Sequence, residues 1–325
     1  MRILSLLTIA FLFSTPSKKE KNSTYSPAEK ERTETSIVTT EKISSGFLQT
    51  ITFPSKHIGK RNIYIWTPDD YHNNKQKNAV LYMHDGQMLF DPEKTWNKQE
   101  WGIDEALTKL IKNGTVKRTI VVGIWNNPDI RHSEYFPQKP FESLKKEQQE
   151  AIMKATGNKK PLFKEKIKAD KYLKFIVEEL KPYIDKNFRT HTDQKNTYIA
   201  GSSMGGLISM YAVCEYPQVF AGAACLSTHW IGTKNYKGNP IPKAFADYMT
   251  QKLPDPKNHK FYFDYGTRGL DAYYGSPQYK INKVMKTKGY TSKNWVSRRF
   301  KGHGHSENYW KRRIHTPLTF LLKKK

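Results

Sequence analysis

The segment Gly201-Ser202-Ser203-Met204-Gly205 has the G-x-S-x-G spacing that holds a reactive serine on a tight turn. An apolar run precedes the segment and a helical pattern follows it, so the serine would lie between a strand and a helix. Glycines two positions before and after Ser203 remove side chains that would collide with those elements. The pattern therefore predicts Ser203 as a nucleophile. It also predicts the Met204 N–H, at the helix N-terminus, as a donor to a developing oxyanion.

A nucleophilic serine needs a base beside it and an acid behind the base. On a strand–turn–helix framework the acid and then the histidine follow the serine along the chain, each just after a strand. Asp271 follows the apolar run "KFYFDYG", whereas Asp264 lies within that run and could be structural, which favours Asp271. The run "NWVSRRF" is followed by both His303 and His305, and spacing alone does not separate them.

A second oxyanion donor is expected after an earlier strand, in the segment "YMHDGQMLFD". Gly86 permits a tight turn there, so the N–H of Gln87 or of Met88 could face the site. His84 and Asp85 also resemble a metal-binding pair, but no second His/Asp cluster and no CxxC or HxxxH spacing accompanies them. We therefore predict no metal site, and the chemistry of a serine nucleophile requires no organic cofactor.

The elements that must position these residues alternate between strand and helix. Apolar runs predict strands at 46–53, 62–68, 78–84, 119–125, 196–203, 220–227, 260–266 and 294–300. Helical spacing marks 103–111, 172–184, the segment from 204 and the segment from 306. This order predicts an α/β fold with one mostly parallel central sheet and helices on both faces. The polar and aromatic stretch 126–168 interrupts the alternation, and we expect it to form an excursion over the active site.

The chain has 325 residues and a formal net charge of +25. Its lysines are scattered and no helix-turn-helix or paired zinc ligands are present, which favours a solvated basic surface over nucleic-acid binding. Cys214 and Cys225 could form a disulfide or remain two buried thiols.

Near the N-terminus, Arg2 is followed by the apolar run "ILSLLTIAFLF", which has the length of a signal-peptide core and is too short to span a bilayer. We predict a signal peptide over 1–17, a disordered linker over 18–44 and one catalytic domain over 45–325. The expected location is the periplasm or the exterior, without stable membrane insertion once the signal is removed.

Four segments together resemble the Putative esterase family of α/β-hydrolases over residues 45–322: "VLYMHDGQMLFD", "GSSMGG", "DYGTRGLDAYY" and "GHGHSENYW". That family includes enterochelin, feruloyl and acetyl-xylan esterases. The resemblance implies an α/β-hydrolase fold, Ser203 as the nucleophile and Asp271 as the acid. The family histidine often heads an H-x-E-x-x-W pattern, which corresponds to His305 here.

The resemblance also suggests binding residues. The segment "WNNPDIRHSEYFP" resembles one that lines the substrate cleft, so Arg131 and Tyr135 become candidates, although either could be structural. A feruloyl group would suit the aromatic side chains Trp125, Tyr135 and Phe136.

We therefore expect a secreted serine carboxylic-ester hydrolase that works through an acyl-enzyme. Its substrates would be acyl or feruloyl esters of polysaccharide, or a siderophore ester. An acyltransferase with the same triad, a peptidase and a non-catalytic binding protein on this fold are the alternatives.

Overall fold

The computed structural model describes residues 34–36, 41–157, 160–233 and 238–324. The predicted signal peptide 1–17 and most of the predicted linker lie outside these residues. Within the described ranges, no helix combines the length and the apolar character that crossing a membrane requires.

One nine-stranded mixed sheet organises the described chain. Its strands are β1 (Glu34–Ser36), β2 (Phe47–Ser55), β3 (Gly59–Thr67), β4 (Ala79–His84), β5 (Thr119–Ile124), β8 (Thr197–Ser202), β9 (Gly222–Leu226), β10 (Lys260–Tyr265) and β11 (Trp295–Arg299). Their order across the sheet is β1-β2-β3-β5-β4-β8-β9-β10-β11. Strands β6 (Thr156–Gly157) and β7 (Lys160–Pro161) form a separate small hairpin. The first three strands of the large sheet pair antiparallel, and the other six pair parallel to one another.

The parallel part explains the continuous apolar runs in the sequence. Every residue of β4, β5, β8 and β9 is buried, as expected for strands covered on both faces. Two apolar clusters, one on each face, supply that cover. The predicted fold class, a mostly parallel sheet with helices on both faces, is confirmed.

Helices flank both faces of this sheet. Their bounds are α1 (Ile103–Lys112), α2 (Arg131–Tyr135), α3 (Gln138–Glu142), α4 (Lys146–Met153), α5 (Ala169–Lys174), α6 (Lys181–Asn187), α7 (Met204–Glu215), α8 (Ile241–Lys252), α9 (Gly275–Thr287), α10 (Glu307–Arg313) and α11 (His315–Leu322). A π-helical segment, Phe175–Leu180, joins α5 to α6. Hence the single helix predicted over 172–184 has three parts in the structure.

The stretch 126–168 folds into α2, α3, α4 and the β6–β7 hairpin. A buried ion pair anchors it: Arg61 Nη2 on β3 lies 2.7 Å from Glu134 Oε1 on α2, and Arg61 Nη1 lies 3.0 Å from Glu134 Oε2. Because the segment follows β5, it begins at the edge of the sheet where the parallel strands end.

Two details refine the sequence-based organisation. Lys42 N–H donates to Asp91 Oδ2 (2.8 Å) and Ser44 N–H donates to Asp104 Oδ2 (2.7 Å). Carboxylates of the domain therefore bind the backbone of two residues that precede the predicted boundary at residue 45. Cys214 and Cys225 are both buried and are not joined by a disulfide, so in this structure they are two free thiols.

Candidate active site

Ser203 lies between β8 and α7 in a backbone conformation that side chains rarely adopt. Its φ is 57° and its ψ is −120°, and a positive φ at a non-glycine residue signals local strain. A Cβ added at Gly201 would come 2.8 Å from the Gly205 carbonyl carbon, and one at Gly205 would come 3.3 Å from His84 Cβ. The two glycines therefore let the turn close tightly around Ser203.

His305 and Asp271 meet although 34 residues separate them. His305 Nδ1 lies 2.6 Å from Asp271 Oδ1. Asp271 belongs to a short 3-10 helix after β10 and is fully buried. His305 lies just before α10, and its ring packs edge-on against the Trp310 ring, with the centroids 5.2 Å apart. These contacts fix both the position and the plane of the imidazole.

The second oxygen of Asp271 is also bound. Asp271 Oδ2 accepts hydrogen bonds from Ser227 Oγ (2.6 Å) and from the Gly266 N–H (2.6 Å). Burial acts to raise the pKa of Asp271, but the hydrogen bond and charge of His305, with these two donors, hold it below its usual value. A carboxylate can only accept, so in the neutral form of His305 the proton lies on Nδ1 and the Nε2 lone pair is free.

The two rival residues lie elsewhere. Asp264 is fully buried within β10, where Arg313 Nη2 donates to its Oδ1 (3.0 Å) and Arg313 Nε to its Oδ2 (3.2 Å). His303 Nδ1 lies 3.3 Å from Arg313 Nη1, and its ring packs against the Tyr309 ring at 5.3 Å. Thus the structure joins Asp271 with His305 and groups Asp264 and His303 around Arg313.

In the loop after β4, the two candidate oxyanion donors, the N–H groups of Gln87 and Met88, differ in their hydrogen bonding. The Met88 N–H donates to the Asp85 carbonyl oxygen (2.9 Å), so it is occupied by the turn. The Gln87 N–H has no hydrogen-bond partner among the described residues, and neither does the Met204 N–H. Of the candidates, Gln87 and Met204 therefore keep donors that a ligand could use, whereas Met88 does not.

Asp85, rather than Gly86, carries the positive φ of this loop, at 58°. Gly86 is required by space instead, because a Cβ there would lie 2.3 Å from the Gly123 carbonyl carbon on β5. Asp85 accepts from Arg131 Nε on Oδ1 (2.7 Å) and from Arg131 Nη2 on Oδ2 (2.7 Å), and Asn126 Nδ2 adds a 2.7 Å bond to Oδ1. Burial alone would raise the pKa of Asp85, but these partners hold it below its usual value.

The predicted binding residues have different surroundings. Arg131 borders the cleft, but its Nε and Nη2 are committed to Asp85. Tyr135 is fully buried beneath Arg131, whose guanidinium carbon lies 5.0 Å from the ring centroid. Trp125 packs against the Tyr64 ring at 5.1 Å. Neither Tyr135 nor Trp125 is among the described residues that line the two cavities next to Ser203, and their contact with substrate stays a prediction.

Two cavities adjoin Ser203, and Arg131 and His132 border both. The larger one, about 630 Å³, is lined mainly by polar side chains and includes Gln87, Trp96 and His305. The smaller one has a volume of about 460 Å³. Its remaining lining is mostly apolar and aromatic: Leu162, Met204, His229, Thr233, Leu270 and Tyr273. Ser203 and His305 share the larger cavity without a hydrogen bond between them within the described chain.

Several residues around the site carried no sequence signal. Ser227 and Arg313 belong to no motif, and their role depends on contacts between distant segments.

Burial lowers the pKa of His132 to about 4 and that of His229 well below its usual value, so both are neutral near pH 7. The aromatic and histidine content of 126–168 and 228–233 was the one available hint that these segments approach a cavity.

The His84–Asp85 pair has no metal-binding surroundings. His84 Nδ1 lies 2.8 Å from the Tyr172 hydroxyl, and Asp85 pairs with Arg131. Across the described ranges, no group of three or more His, Cys, Asp or Glu side chains is arranged to hold a metal ion.

Known proteins resemble this chain in sequence and in fold. An endo-1,4-beta-xylanase/feruloyl esterase of Xylanibacter ruminicola is 26% identical over 295 residues, which is 86% of this chain but 32% of that protein. The chain thus spans about a third of this relative. A solved ferulic acid esterase has a TM-score of 0.62 at 19% identity, covering 86% of this chain and 98% of the other.

The enterobactin esterase of Shigella flexneri, solved in the presence of enterobactin, has a TM-score of 0.56 at 14% identity, covering 86% of this chain and 60% of the other. These structural likenesses establish a shared fold. The family model described as "Putative esterase" matches residues 55–320, which include Ser203, Asp271 and His305. The chain therefore belongs to this esterase family and has an α/β-hydrolase fold.

Proposed function

We propose that this esterase is a serine carboxylic-ester hydrolase that acts through an acyl-enzyme, with Ser203, His305 and Asp271 as its triad. The observation that carries the proposal is the 2.6 Å contact between His305 Nδ1 and Asp271 Oδ1, on a cavity that Ser203 also borders. The strained turn at Ser203 supports it, since a serine held at φ 57° is unusual without a functional reason.

In this mechanism Ser203 Oγ attacks the ester carbonyl carbon while His305 Nε2 takes the hydroxyl proton. The Met204 and Gln87 N–H groups stabilise the negative charge that develops on the carbonyl oxygen. As the carbon–oxygen bond to the alcohol breaks, His305 returns the proton to the leaving alkoxide. Water then attacks the acyl-enzyme by the same route and releases the acid, and Asp271 stabilises the imidazolium at both stages.

For the substrate we propose acyl or feruloyl esters of polysaccharide. The sequence relative from Xylanibacter ruminicola is described as a xylanase/feruloyl esterase, which supports this class. A siderophore ester is the second candidate, because the enterobactin esterase of Shigella flexneri shares the fold.

The test is a panel of esters with the purified protein: a feruloyl ester, acetylated xylan, a catechol trilactone and a short aryl ester. We expect hydrolysis of at least the aryl ester, covalent fluorophosphonate labelling at Ser203, and loss of both in Ser203→Ala. A triad serine contributes about 10⁶-fold in turnover elsewhere. Labelling at Ser202, which also borders the larger cavity, or full activity in Ser203→Ala would overturn the proposal. Faster transfer to an added alcohol than to water would indicate an acyltransferase instead.

We also propose export, with residues 1–17 acting as a signal peptide and 18–44 as a linker. The basic Arg2 and the short apolar run after it support this role. Mass spectrometry of protein exported by a bacterial host should find at least the first thirteen residues removed. An intact N-terminus on that protein would contradict export by cleavage.

A further inference from the structure

Trp96 is the most exposed large hydrophobic side chain in the described part of the protein, at 83% exposure. It borders the larger cavity, which also contains Ser203 and His305. Exposed aromatic side chains are unremarkable when scattered, but a nearly bare indole at the rim of the candidate active site offers a flat apolar face to a bound ligand.

The segment that carries Trp96 is fastened to the helix that follows His305. Asn97 Nδ2 donates to Glu307 Oε2 (2.8 Å), and Gln99 Oε1 accepts from the Asn308 N–H (3.2 Å). Lys311 and Glu100 form an ion pair one turn further along α10. These contacts hold the backbone segment that carries Trp96 against α10, so a ligand that stacks on the indole would not have to order a mobile loop.

The position of His305 tells which part of the substrate enters this cavity. His305 borders the larger cavity and is absent from the lining of the smaller one. The histidine must protonate the leaving alcohol, so the alcohol side of the ester lies in the larger cavity with Trp96. The acyl group then occupies the smaller cavity, beside Leu162, Leu270 and Tyr273.

The chemistry of the larger cavity favours a neutral, hydroxyl-rich alcohol. The one arginine that lines it, Arg131, is paired with Asp85, and Glu307 adds a negative charge at the rim. Asn97, Gln99 and Asn126 contribute amide groups, and Gln99 Nε2 has no hydrogen-bond partner among the described residues. An indole face next to amide donors suits a sugar ring, which has apolar C–H faces and hydroxyl edges, better than it suits an anion.

We propose that Trp96 is a stacking platform for a sugar ring on the alcohol side of the scissile ester, a role that rests on the proposed esterase function. The sugar belongs to the leaving polysaccharide, and Gln99 donates a hydrogen bond to one of its hydroxyl groups. Trp96 therefore selects sugar esters over simple alkyl esters of the same acid and over anionic siderophore esters.

The test compares each acyl group on two alcohols: acetylated or feruloylated xylo-oligosaccharide against the methyl or aryl ester of the same acid. Trp96→Ala should raise KM for the oligosaccharide ester about tenfold and leave kcat within about twofold, since stacking on an aromatic face holds the ring without touching the reacting atoms. The methyl ester should be hydrolysed as by the wild type, and Trp96→Phe should recover most of the loss. Tyr279→Ala is the matched control, because Tyr279 is also exposed, at 61%, and borders neither cavity next to Ser203.

A direct binding measurement separates this inference from the proposed function. Titration of unesterified xylo-oligosaccharide into the wild type should release or absorb measurable heat, or quench the tryptophan fluorescence. Trp96→Ala should lack this signal, whether or not the protein hydrolyses any ester. The inference would be overturned if Trp96→Ala raised KM equally for the esters of both alcohols, or equally for the catechol trilactone. Unchanged oligosaccharide binding in Trp96→Ala would overturn it as well. Failure of Ser203 labelling with oligosaccharide binding intact would overturn the proposed function alone.

Discussion

Ser227 Oγ donates a 2.6 Å hydrogen bond to Asp271 Oδ2, on the side of the carboxylate away from His305. The same hydroxyl oxygen accepts from Trp310 Nε1 (3.0 Å) and from Arg313 Nη2 (2.8 Å). Ser227 thus links the candidate acid to the helix that follows His305. The hydroxyl is fully buried, so no solvent replaces these bonds if it is removed.

We expect Ser227→Ala to lower kcat about 10- to 100-fold while KM changes little, because Asp271 loses one of the donors that fix it. Without that donor the pKa of Asp271 rises, so the part of the acidic limb of the kcat profile that reports protonation of Asp271 should move to higher pH. Thr119→Val is the control, since it removes a buried hydroxyl at the opposite end of the parallel strands. A stability loss without a shift in the pH profile would mean that Ser227 has only a structural role.

Asp271→Asn and Asp264→Asn should have opposite consequences. Asp271→Asn should cost about 10⁴-fold in turnover, as in the serine-protease triad, because the amide stabilises the wrong histidine tautomer. Asp264→Asn removes the carboxylate that accepts two hydrogen bonds from the buried Arg313 and leaves Asp271 Oδ2, 3.9 Å from Arg313 Nη2, as the nearest negative charge, so the free energy of unfolding should fall by about 3 kcal/mol. Turnover per folded molecule should remain within about tenfold. Chemical denaturation combined with active-site titration measures both, and the reverse pattern would make Asp264 the acid.

Gly86→Ala should damage the oxyanion loop. The added Cβ would lie 2.3 Å from the Gly123 carbonyl carbon, so the backbone at residue 86 must shift, and the adjacent Gln87 N–H should be displaced with it. Loss of one oxyanion donor typically lowers kcat by about 10²–10³-fold. At Gly275 a Cβ would have ordinary contacts of 3.6 Å or more, so Gly275→Ala should be silent. Full kcat in folded Gly86→Ala would exclude Gln87 as a donor.

Acid should destabilise the fold partly through His84. Burial lowers the pKa of His84 to about 3, so between its ordinary value near 6.5 and 3 the unfolded chain binds a proton that the folded chain does not. The contribution of neutral His84 to the free energy of unfolding is fully present above about pH 6.5. It is lost as the pH falls through this window, at up to about 1.4 kcal/mol per pH unit. His84→Gln should flatten the dependence of the unfolding free energy on pH over this range, whatever its effect at neutrality. The exposed His315→Gln should not, and parallel curves for wild type and His84→Gln would contradict the assignment.

The sequence predicted the parallel sheet well because buried strands such as β4 and β5 are continuous apolar runs. Position just after a strand end favoured Asp271, and the resemblance to the family's H-x-E-x-x-W pattern favoured His305 over His303. The structure brings Asp271 and His305 into contact. The sequence did not predict the helices α2–α4, because they are short and depend on tertiary contacts such as the Arg61–Glu134 pair. Propensity carries little information for such segments.

The surroundings of the site were the least predictable part. Asp85 was weighed as a metal ligand from its neighbour His84, but its partner is Arg131, 46 residues away. Trp125 and Tyr135 were candidates for substrate contact, and in the structure Trp125 packs against the Tyr64 ring while Tyr135 lies beneath the Arg131 guanidinium. Residue type and spacing along the chain cannot distinguish a side chain that lines a cavity from one that packs behind the cavity wall.

The hydrogen bond between Asn97 and Glu307 joins residues that are 210 positions apart in the chain. Closing so long a loop costs chain entropy before any contact offsets it, and folds rich in such distant contacts form slowly. The pairing of β4 with β8 and of β8 with β9 needs shorter closures. The larger cavity therefore completes only when the last helices settle against the Trp96 segment. We therefore expect esterase activity to recover later than the circular dichroism signal after dilution from denaturant.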